Sequence, residues 1–275
     1  MTISVQNNSA ALLALQNLNR TTDQLAQTQQ QISTTLAVAQ PKDNPVVWAT
    51  SQGQQSDINS LASVTQSLNR ASSVSDVALS SGQSVVDLLN QLKQDALTAQ
   101  DPQTDPTARQ SLNAAFSGLL QRITTTLQNA SFDGANLLNG SSGNLNFMAS
   151  ADATQSMTLP ARDLSLGGSI VTLSSTASIT TAAAASLMVT QIDASIANVT
   201  SALADIGDQA KLISAHNALV QNLSSVLSQG KGDLINADTA ADSARLAALN
   251  VQQQLAQQSL SIANSMPSVL LSLFK

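Results

Sequence analysis

Residues 61–99 read LASVTQSLNRASSVSDVALSSGQSVVDLLNQLKQDALTA, and the spacing of their small and apolar residues decides the fold class. Steps of three and four residues alternate through the whole stretch, which is the seam of a coiled-coil helix. The pattern predicts one long helix that begins near Val46, ends before Asp101 and packs along its length against another helix. The seam consists of Leu61, Val64, Leu68, Ala71, Ser75, Ala78, Gly82, Val85, Leu89, Leu92, Ala96 and Ala99.

The C-terminal half carries a second seam of the same kind, with an apolar residue at every seventh position. This seam predicts a long helix over residues 182–228, and Gly230 and Gly232 are expected to break it. We therefore predict a mainly α fold built on a long antiparallel coiled-coil helical bundle. The second seam consists of Ile192, Val199, Ile206, Ile213, Val220 and Leu227.

A third helix and a small insert are predicted between the two long helices. Asp105 and Pro106 are placed to cap and open the third helix, which is expected to end near Asn129. Residues 141–181 are richer in Gly, Ser and Thr, and their short alternating runs predict two or three strands that form a β-hairpin insert. The runs are residues 144–149, 156–159 and 169–173, while the low-complexity residues 174–181 are expected at the surface.

The two ends of the chain are almost free of charge. Residues 246–274 contain no ionisable side chain, and residues 1–40 contain only Arg20 and Asp23. Both stretches are too rich in Gln, Asn and Ser to span a membrane, yet their apolar residues fall at helical spacing. A lone soluble helix normally has a charged outer face. Two terminal helices without one are therefore expected to pack against protein on all sides, namely other copies of the chain.

These features predict a self-assembly interface on two terminal helices. The first is expected from about Ser4 to Ala39, and the last from Asp238 or Thr239 to about Met266. One helix pair cannot bury all of their apolar side chains, so the ends are expected to order fully only on assembly. The predicted interface residues are Leu15, Leu18, Leu25, Ile32, Leu36, Leu246, Leu249, Leu255, Leu260, Ile262, Leu270, Leu273 and Phe274.

The composition argues against most other classes of function. Apolar residues make up 43% of the chain, which is enough for a core, but aromatic residues make up only 2% and charged residues only 10%. The net charge of -6 disfavours nucleic-acid binding, which needs basic patches. The absence of cysteine excludes disulfides, thiol catalysis and the commonest structural zinc sites. The N-terminus lacks the basic and apolar regions of a cleavable secretory signal.

The few residues with catalytic or metal-binding chemistry do not form a predicted site. His216 is the only histidine, and no neighbouring pattern identifies an acid or nucleophile to work with it. Asp205, Asp208, Asp233 and Asp238 lack the glycine-centred spacing of a calcium loop and are interpreted as helix-capping residues. We expect no enzyme activity, no cofactor and no metal.

Four short motifs stand out along the chain: ALQNLN at 14–19, FDGANLL at 132–138, ADIG at 204–207, and LLSLFK at 270–275. In their order, spacing and distance from the termini they resemble motifs of bacterial flagellins. The segment after the third helix resembles the loop that precedes the family's variable region, and the closing residues resemble the family's C-terminus. The variable region is short here, so the resemblance implies a short form without large outer domains.

The resemblance implies a subunit with three parts. Residues 1–40 and 238–275 would be terminal helices that pair into the inner core of a filament. Residues 46–140 and 182–237 would form the helical-bundle shell. Residues 141–181 would form the short β insert at the outer tip of the bundle.

By the same resemblance, the chain is expected to be a structural protein that polymerises into the extracellular flagellar filament for motility. Its partners would be other copies, related flagellins, the filament cap, hook-associated junction proteins and an export chaperone, with no nucleic acid and no membrane insertion. Export would follow the flagellar type III route without a cleaved signal peptide. Two alternatives stay open on the residues alone: a hook-filament junction protein, and a coiled-coil signalling or binding module.

Overall fold

The fold is mainly α with a two-stranded antiparallel sheet, as the sequence predicts. The computed structural model describes residues 8–272, and their side chains as far as Met266. Two compact units make up the chain: unit 1 is Met1–Ser56 with Val226–Lys275, and unit 2 is Asp57–Ser225. The elements are α1 (Ser9–Thr34), α2 (Pro45–Gln100), α3 (Pro106–Asn129), β1 (Leu145–Met148), β2 (Ser156–Leu159), α4 (Ala182–Ile235) and α5 (Thr239–Ser272).

The core of unit 2 lies along the predicted seams of α2 and α4. Every seam residue of α2 is buried, and Ser75 satisfies its hydroxyl by donating to Ala71 O at 2.9 Å. The α4 seam is buried from Ile192 to Val220. The two helices run antiparallel, because Lys93 Nζ lies 2.7 Å from Asp193 Oδ1 while Asn217 Nδ2 donates to Asn69 Oδ1 at 2.7 Å. The prediction of an antiparallel bundle is confirmed.

Two predicted capping residues are found at helix starts, whereas Asp205, Asp208 and Asp233 lie inside α4 and that part of the prediction is wrong. Asp105 caps α3 by accepting from Thr107 N at 3.0 Å, and Pro106 is its first residue. Asp238 caps α5, since its Oδ1 accepts from the N–H groups of Ala240 and Ala241 at 3.1 Å.

The insert has two strands, in agreement with the predicted two or three. β1 and β2 pair antiparallel with Leu145 opposite Leu159, whereas the third candidate run, residues 169–173, forms no strand. Side chains of α4 bind this segment instead: Ser195 Oγ accepts from Thr172 N at 3.2 Å, and Asn198 Nδ2 donates to Ile170 O at 3.2 Å. The backbone is thus satisfied without a neighbouring strand.

The segment 174–181 is partly buried rather than wholly at the surface. Ile179 is fully buried, and its N–H donates to Asn113 Oδ1 of α3 at 2.8 Å. Asn113 Oδ1 also accepts from Ser178 Oγ at 3.0 Å. A low-complexity stretch is therefore fixed to the bundle by one asparagine and one isoleucine.

Two predicted helix ends are wrong within unit 1. α1 ends at Thr34 rather than Ala39, because Thr35 adopts a left-handed conformation with φ 58°. The following residues pair with the chain after α4, where Ala37 N donates to Ile235 O at 2.7 Å. α4 continues through Gly230 and Gly232 to Ile235, since a helix tolerates an interior glycine at about 1 kcal/mol each.

Candidate assembly interface

The terminal helices α1 and α5 form an antiparallel two-helix coiled coil. Asn8 Nδ2 donates to Ala263 O at 2.7 Å at one end of the pair, and Leu36 forms a β-bridge with Asn236 at the other. The residues that face the partner helix recur at steps of three and four and are all buried or half-buried, which is a continuous heptad seam. They are Ala11, Ala14, Leu18, Thr21, Leu25, Thr28 and Ile32 on α1, and Asp242, Leu246, Leu249, Gln253, Ala256, Leu260 and Ala263 on α5.

This seam is shallow. Among the described residues of α1 and α5, only Thr28 and Leu249 are buried, at 2% and 4% exposure. The other inner-face leucines and Ile32 stay half-buried, because two helices cover each other on one side only. The pair therefore has much less buried apolar surface than unit 2.

A second apolar face of α5 points away from α1. Leu255 and Ile262 are 56% and 58% exposed, and with Ala248 they recur at every seventh residue on the side opposite the seam. Val251 and Met266 are exposed beside them. An α-helix that is apolar on two faces requires a partner on each, and within the chain only one face has a partner.

α1 carries a smaller outward apolar cluster near its start. Leu12, Leu13 and Leu15 are all exposed, whereas the outward residues farther along the helix are mainly Gln, Asn and Thr. The cluster and the outward face of α5 thus lie at the end of the pair that Asn8 and Ala263 mark. We call these surfaces the outward apolar faces of α1 and α5.

The predicted interface residues divide between the two faces. Leu15, Leu255 and Ile262 lie on the outward faces; Leu273 and Phe274 lie outside the described residues, as does the side chain of Leu270. Sequence reasoning missed Leu12, Leu13, Val251 and Met266, although the spacing of 255 and 262 could have revealed a second stripe. Leu18, Leu25, Ile32, Leu246, Leu249 and Leu260 face the partner helix, and Leu36 lies in the bridge after α1.

The outward face of α5 carries no charge. The last ionisable residue before it is Arg245, and the next in sequence is Lys275. Burial of an ionised group costs several kcal/mol unless it is paired, whereas Gln, Asn and Ser can exchange water for partners on a neighbouring helix. The composition of this face is therefore suited to burial against protein.

Asn8 ties the start of α1 to the end of α5. Its Oδ1 accepts from Ala11 N at 3.0 Å as the N-cap of α1, while its Nδ2 donates to Ala263 O. Pro267 has no N–H for that same carbonyl, four residues earlier in α5. Asn8 thus supplies the donor that the proline lacks, and α5 continues to Ser272 rather than ending at Met266 as predicted.

We expect Asn8→Ala to lower the stability of assembled helix pairs by about 1–3 kcal/mol, because a cap and a carbonyl partner are both lost. Asn8→Ser is the matched variant, since its hydroxyl keeps a capping acceptor, adds no charge and is too short to donate to Ala263 O. The measurement is the temperature at which assemblies of the chain dissociate. If the donor matters, Asn8→Ser should lower this temperature as well; wild-type behaviour of Asn8→Ser would limit Asn8 to its capping role.

A further exposed apolar stripe lies on α4 in unit 2. Leu212, Leu219 and Leu223 are exposed, and Leu219 reaches 60%. Earlier on the same side of the helix, Asn198 and Asp205 bind the insert, the latter through Arg162 Nη2 at 2.9 Å. The leucines follow where the insert no longer covers the helix.

The residues considered for chemistry have structural partners. His216 Nε2 lies 2.7 Å from Ala149 O, where an N–H donates to the insert backbone. Asp208 Oδ1 accepts from Lys211 Nζ at 3.3 Å. Over residues 8–272, no group of three potential metal ligands comes together, and no helix has the length and apolarity to cross a membrane.

Comparison with known proteins gives one consistent family. The family model of the bacterial flagellin N-terminal helical region matches residues 5–143, and that of the C-terminal helical region matches residues 189–274. The chain is 43% identical to flagellin FljJ of Caulobacter vibrioides, over 100% of this chain and 99% of the relative. It is 30% identical to a flagellin of Brucella melitensis, over 99% of both chains.

Two solved structures share the fold at low identity. Bacillus cereus flagellin matches with a TM-score of 0.51 and 19% identity, over 56% of this chain and 88% of that one. A Vibrio parahaemolyticus protein described as flagellar hook-associated matches with a TM-score of 0.60 and 11% identity, over 70% of this chain and 100% of that one.

Proposed function

The chain belongs to the bacterial flagellin family, and from this premise we propose that the outward apolar faces of α1 and α5 pack against other copies in the core of the filament. The chain is a structural subunit of the extracellular flagellar filament and not an enzyme. Its relatives over the full length are flagellins, which favours a filament subunit over the junction protein and the signalling module.

The observation that carries this proposal is the exposed, charge-free face of α5. Burying Leu255 and Ile262 would contribute about 2 kcal/mol each, and the same pair repeats in every subunit. A head-to-tail contact that does not close on itself yields an open helical polymer, and we assign the outward face of α5 to a contact of this kind. This proposal also explains why so few residues of the α1–α5 seam are buried, because neighbouring copies would cover the apolar side chains that one helix pair leaves exposed.

Folding of the terminal pair is coupled to assembly in this proposal. Only Thr28 and Leu249 are buried among its described residues, so the isolated pair is marginal. Anything that binds the folded form alone stabilises it, and here the binding partner is the growing filament.

We propose that the uncovered stripe on α4 packs against a second copy in the filament shell. The support is its composition: between Lys211 and Lys231, α4 has no Asp, Glu, Lys or Arg, as in the terminal helices. In contrast, residues 141–181 carry Asp152, Arg162 and Asp163, which suits an insert that faces solvent at the outer tip. The proposed division is a core of residues 1–40 and 238–275 inside this shell.

Leu219→Ser is expected to raise the protein concentration needed for filament growth about 30-fold, since roughly 2 kcal/mol of burial is lost per subunit. The matched control is Leu187→Ser, which changes a leucine of the same helix that is 65% exposed but precedes the charged part of α4. Seeded growth measured by sedimentation compares the two. Equal effects would show that the α4 stripe is not a specific contact.

The other proposed partners are the filament cap, the hook-associated junction proteins, related flagellins and an export chaperone that binds the C-terminal segment. A terminal pair that orders on assembly would also suit export through the flagellar type III conduit without a cleaved signal. Secretion of the full chain in cells with and without that export apparatus tests the route. Equal amounts outside both kinds of cell would contradict it.

A further inference from the structure

Three glycines lie at one level of the helix pair that α2 and α4 form within unit 1. Gly53 is in α2, and Gly230 and Gly232 are in the last two turns of α4. Lys231 Nζ donates to Gln55 Oε1 at 2.6 Å, which places the two groups of glycines side by side. All three are helical positions without positive φ.

Packing does not require these glycines. A Cβ built at Gly53 or at Gly230 meets no atom within 4 Å. At Gly232 it meets only the end of the Asn236 amide, at 2.9 Å from Nδ2. In a helix interior, glycine is about 1 kcal/mol less favourable than alanine. The glycines therefore weaken both helices at this level without a compensating close approach.

The packing around them is also thin. Over residues 46–56 and 226–235, Ser51 is the one buried residue, while Val46, Val226 and Leu234 are exposed. Gln54 Oε1 is buried without a hydrogen-bond partner. Few buried apolar contacts and unfavourable helix residues define a segment of low local stability.

We propose that Gly53, Gly230 and Gly232 make this level a joint, at which α2 and α4 open and bend together as one unit. The Lys231–Gln55 hydrogen bond joins the two weak segments, so that opening of one helix removes support from the other. The joint is a property of the single chain and does not depend on how copies pack.

Hydrogen exchange of the full-length monomer tests the joint. Amides of residues 50–56 and 227–235 should exchange faster than those of the buried α2 seam, with rates insensitive to low denaturant concentrations, as local opening requires. Gly53→Ala should slow exchange about fivefold in α2 and by a similar factor in residues 227–235 of α4, where no residue was changed.

The matched control is Gly118→Ala, at a helical glycine of α3 whose Cβ would also meet nothing within 4 Å. It should slow exchange only in its own turns. Slowing by Gly53→Ala that stays within α2 would overturn the joint, because the two helices would then open independently. So would a complete lack of protection over residues 227–235 in the wild-type monomer. Since the monomer is used, the result is separate from any failure of filament assembly.

Discussion

A chain that ends at Arg245 is expected to keep the fold of unit 2 and to form no filaments. The truncation removes residues 246–275 and with them both apolar faces of α5, whereas Asp57–Ser225 keeps its buried seams. α1 loses the partner for its inner face, so no ordered terminal pair remains. Helicity and urea unfolding of the bundle should change little, while seeded growth under negative stain should fall to nothing.

The full chain under the same conditions with the same seeds is the control for this truncation. Filaments of ordinary length from the truncated chain would show that the terminal helices are not the core of the polymer. A truncated chain that fails to unfold cooperatively would instead contradict the independence of unit 2.

Replacing Leu255 and Ile262 together by glutamate is expected to abolish polymerisation while leaving the monomer unchanged. Both side chains are more than half exposed, so the charges are solvated in the free chain. In the filament each carboxylate would be taken out of water, at a cost of several kcal/mol that every subunit repeats. Circular dichroism measures whether the monomer keeps its helicity, and seeded sedimentation measures whether it polymerises.

Two matched variants separate the effect of the added charge from the loss of the apolar contact and from the position of the charge. Leu255→Gln with Ile262→Gln removes the apolar contact without charge and should weaken growth but not abolish it. Leu187→Glu adds a charge at an exposed leucine of α4 and should leave growth near wild type. If the double glutamate variant polymerises normally, the outward face of α5 is solvated in the filament.

The long helices could be predicted from periodicity because burial of apolar side chains determines both the spacing of those residues in the sequence and the way the helices pack. The seam residues from Leu61 to Ala99 are buried in the structure because each step of three or four residues returns to the same side of α2. Caps were predictable for the same local reason: Asp105 and Asp238 bind N–H groups within three residues of themselves.

The insert could be predicted only in part, since distant residues hold it in place. Asn113 binds Ile179 across 66 positions and His216 binds Ala149 across 67. Such bonds leave no period in the sequence. The continuation of α5 past Pro267 has a similar cause, because the donor to Ala263 comes from Asn8 at the opposite end of the chain.

The interface residues were predicted as one set although the structure divides them between two faces. α5 is apolar at Leu249 and Leu260 toward α1, and again at Leu255 and Ile262 away from it. In sequence the residues of the two stripes lie only a few positions apart, so the prediction assigned all of them to a single seam. The structure distinguishes the two stripes, because α1 covers one of them and leaves the other exposed.

Solvent access at position 262 in the monomer and in the filament tests the central claim most directly. The chain has no cysteine, so Ile262→Cys introduces a single thiol, and Ser175→Cys provides an exposed thiol in the insert as a control. We expect a maleimide to react quickly with both thiols in the monomer, but in assembled filaments only with that at position 175. Equally fast reaction at position 262 in filaments would contradict burial of this face.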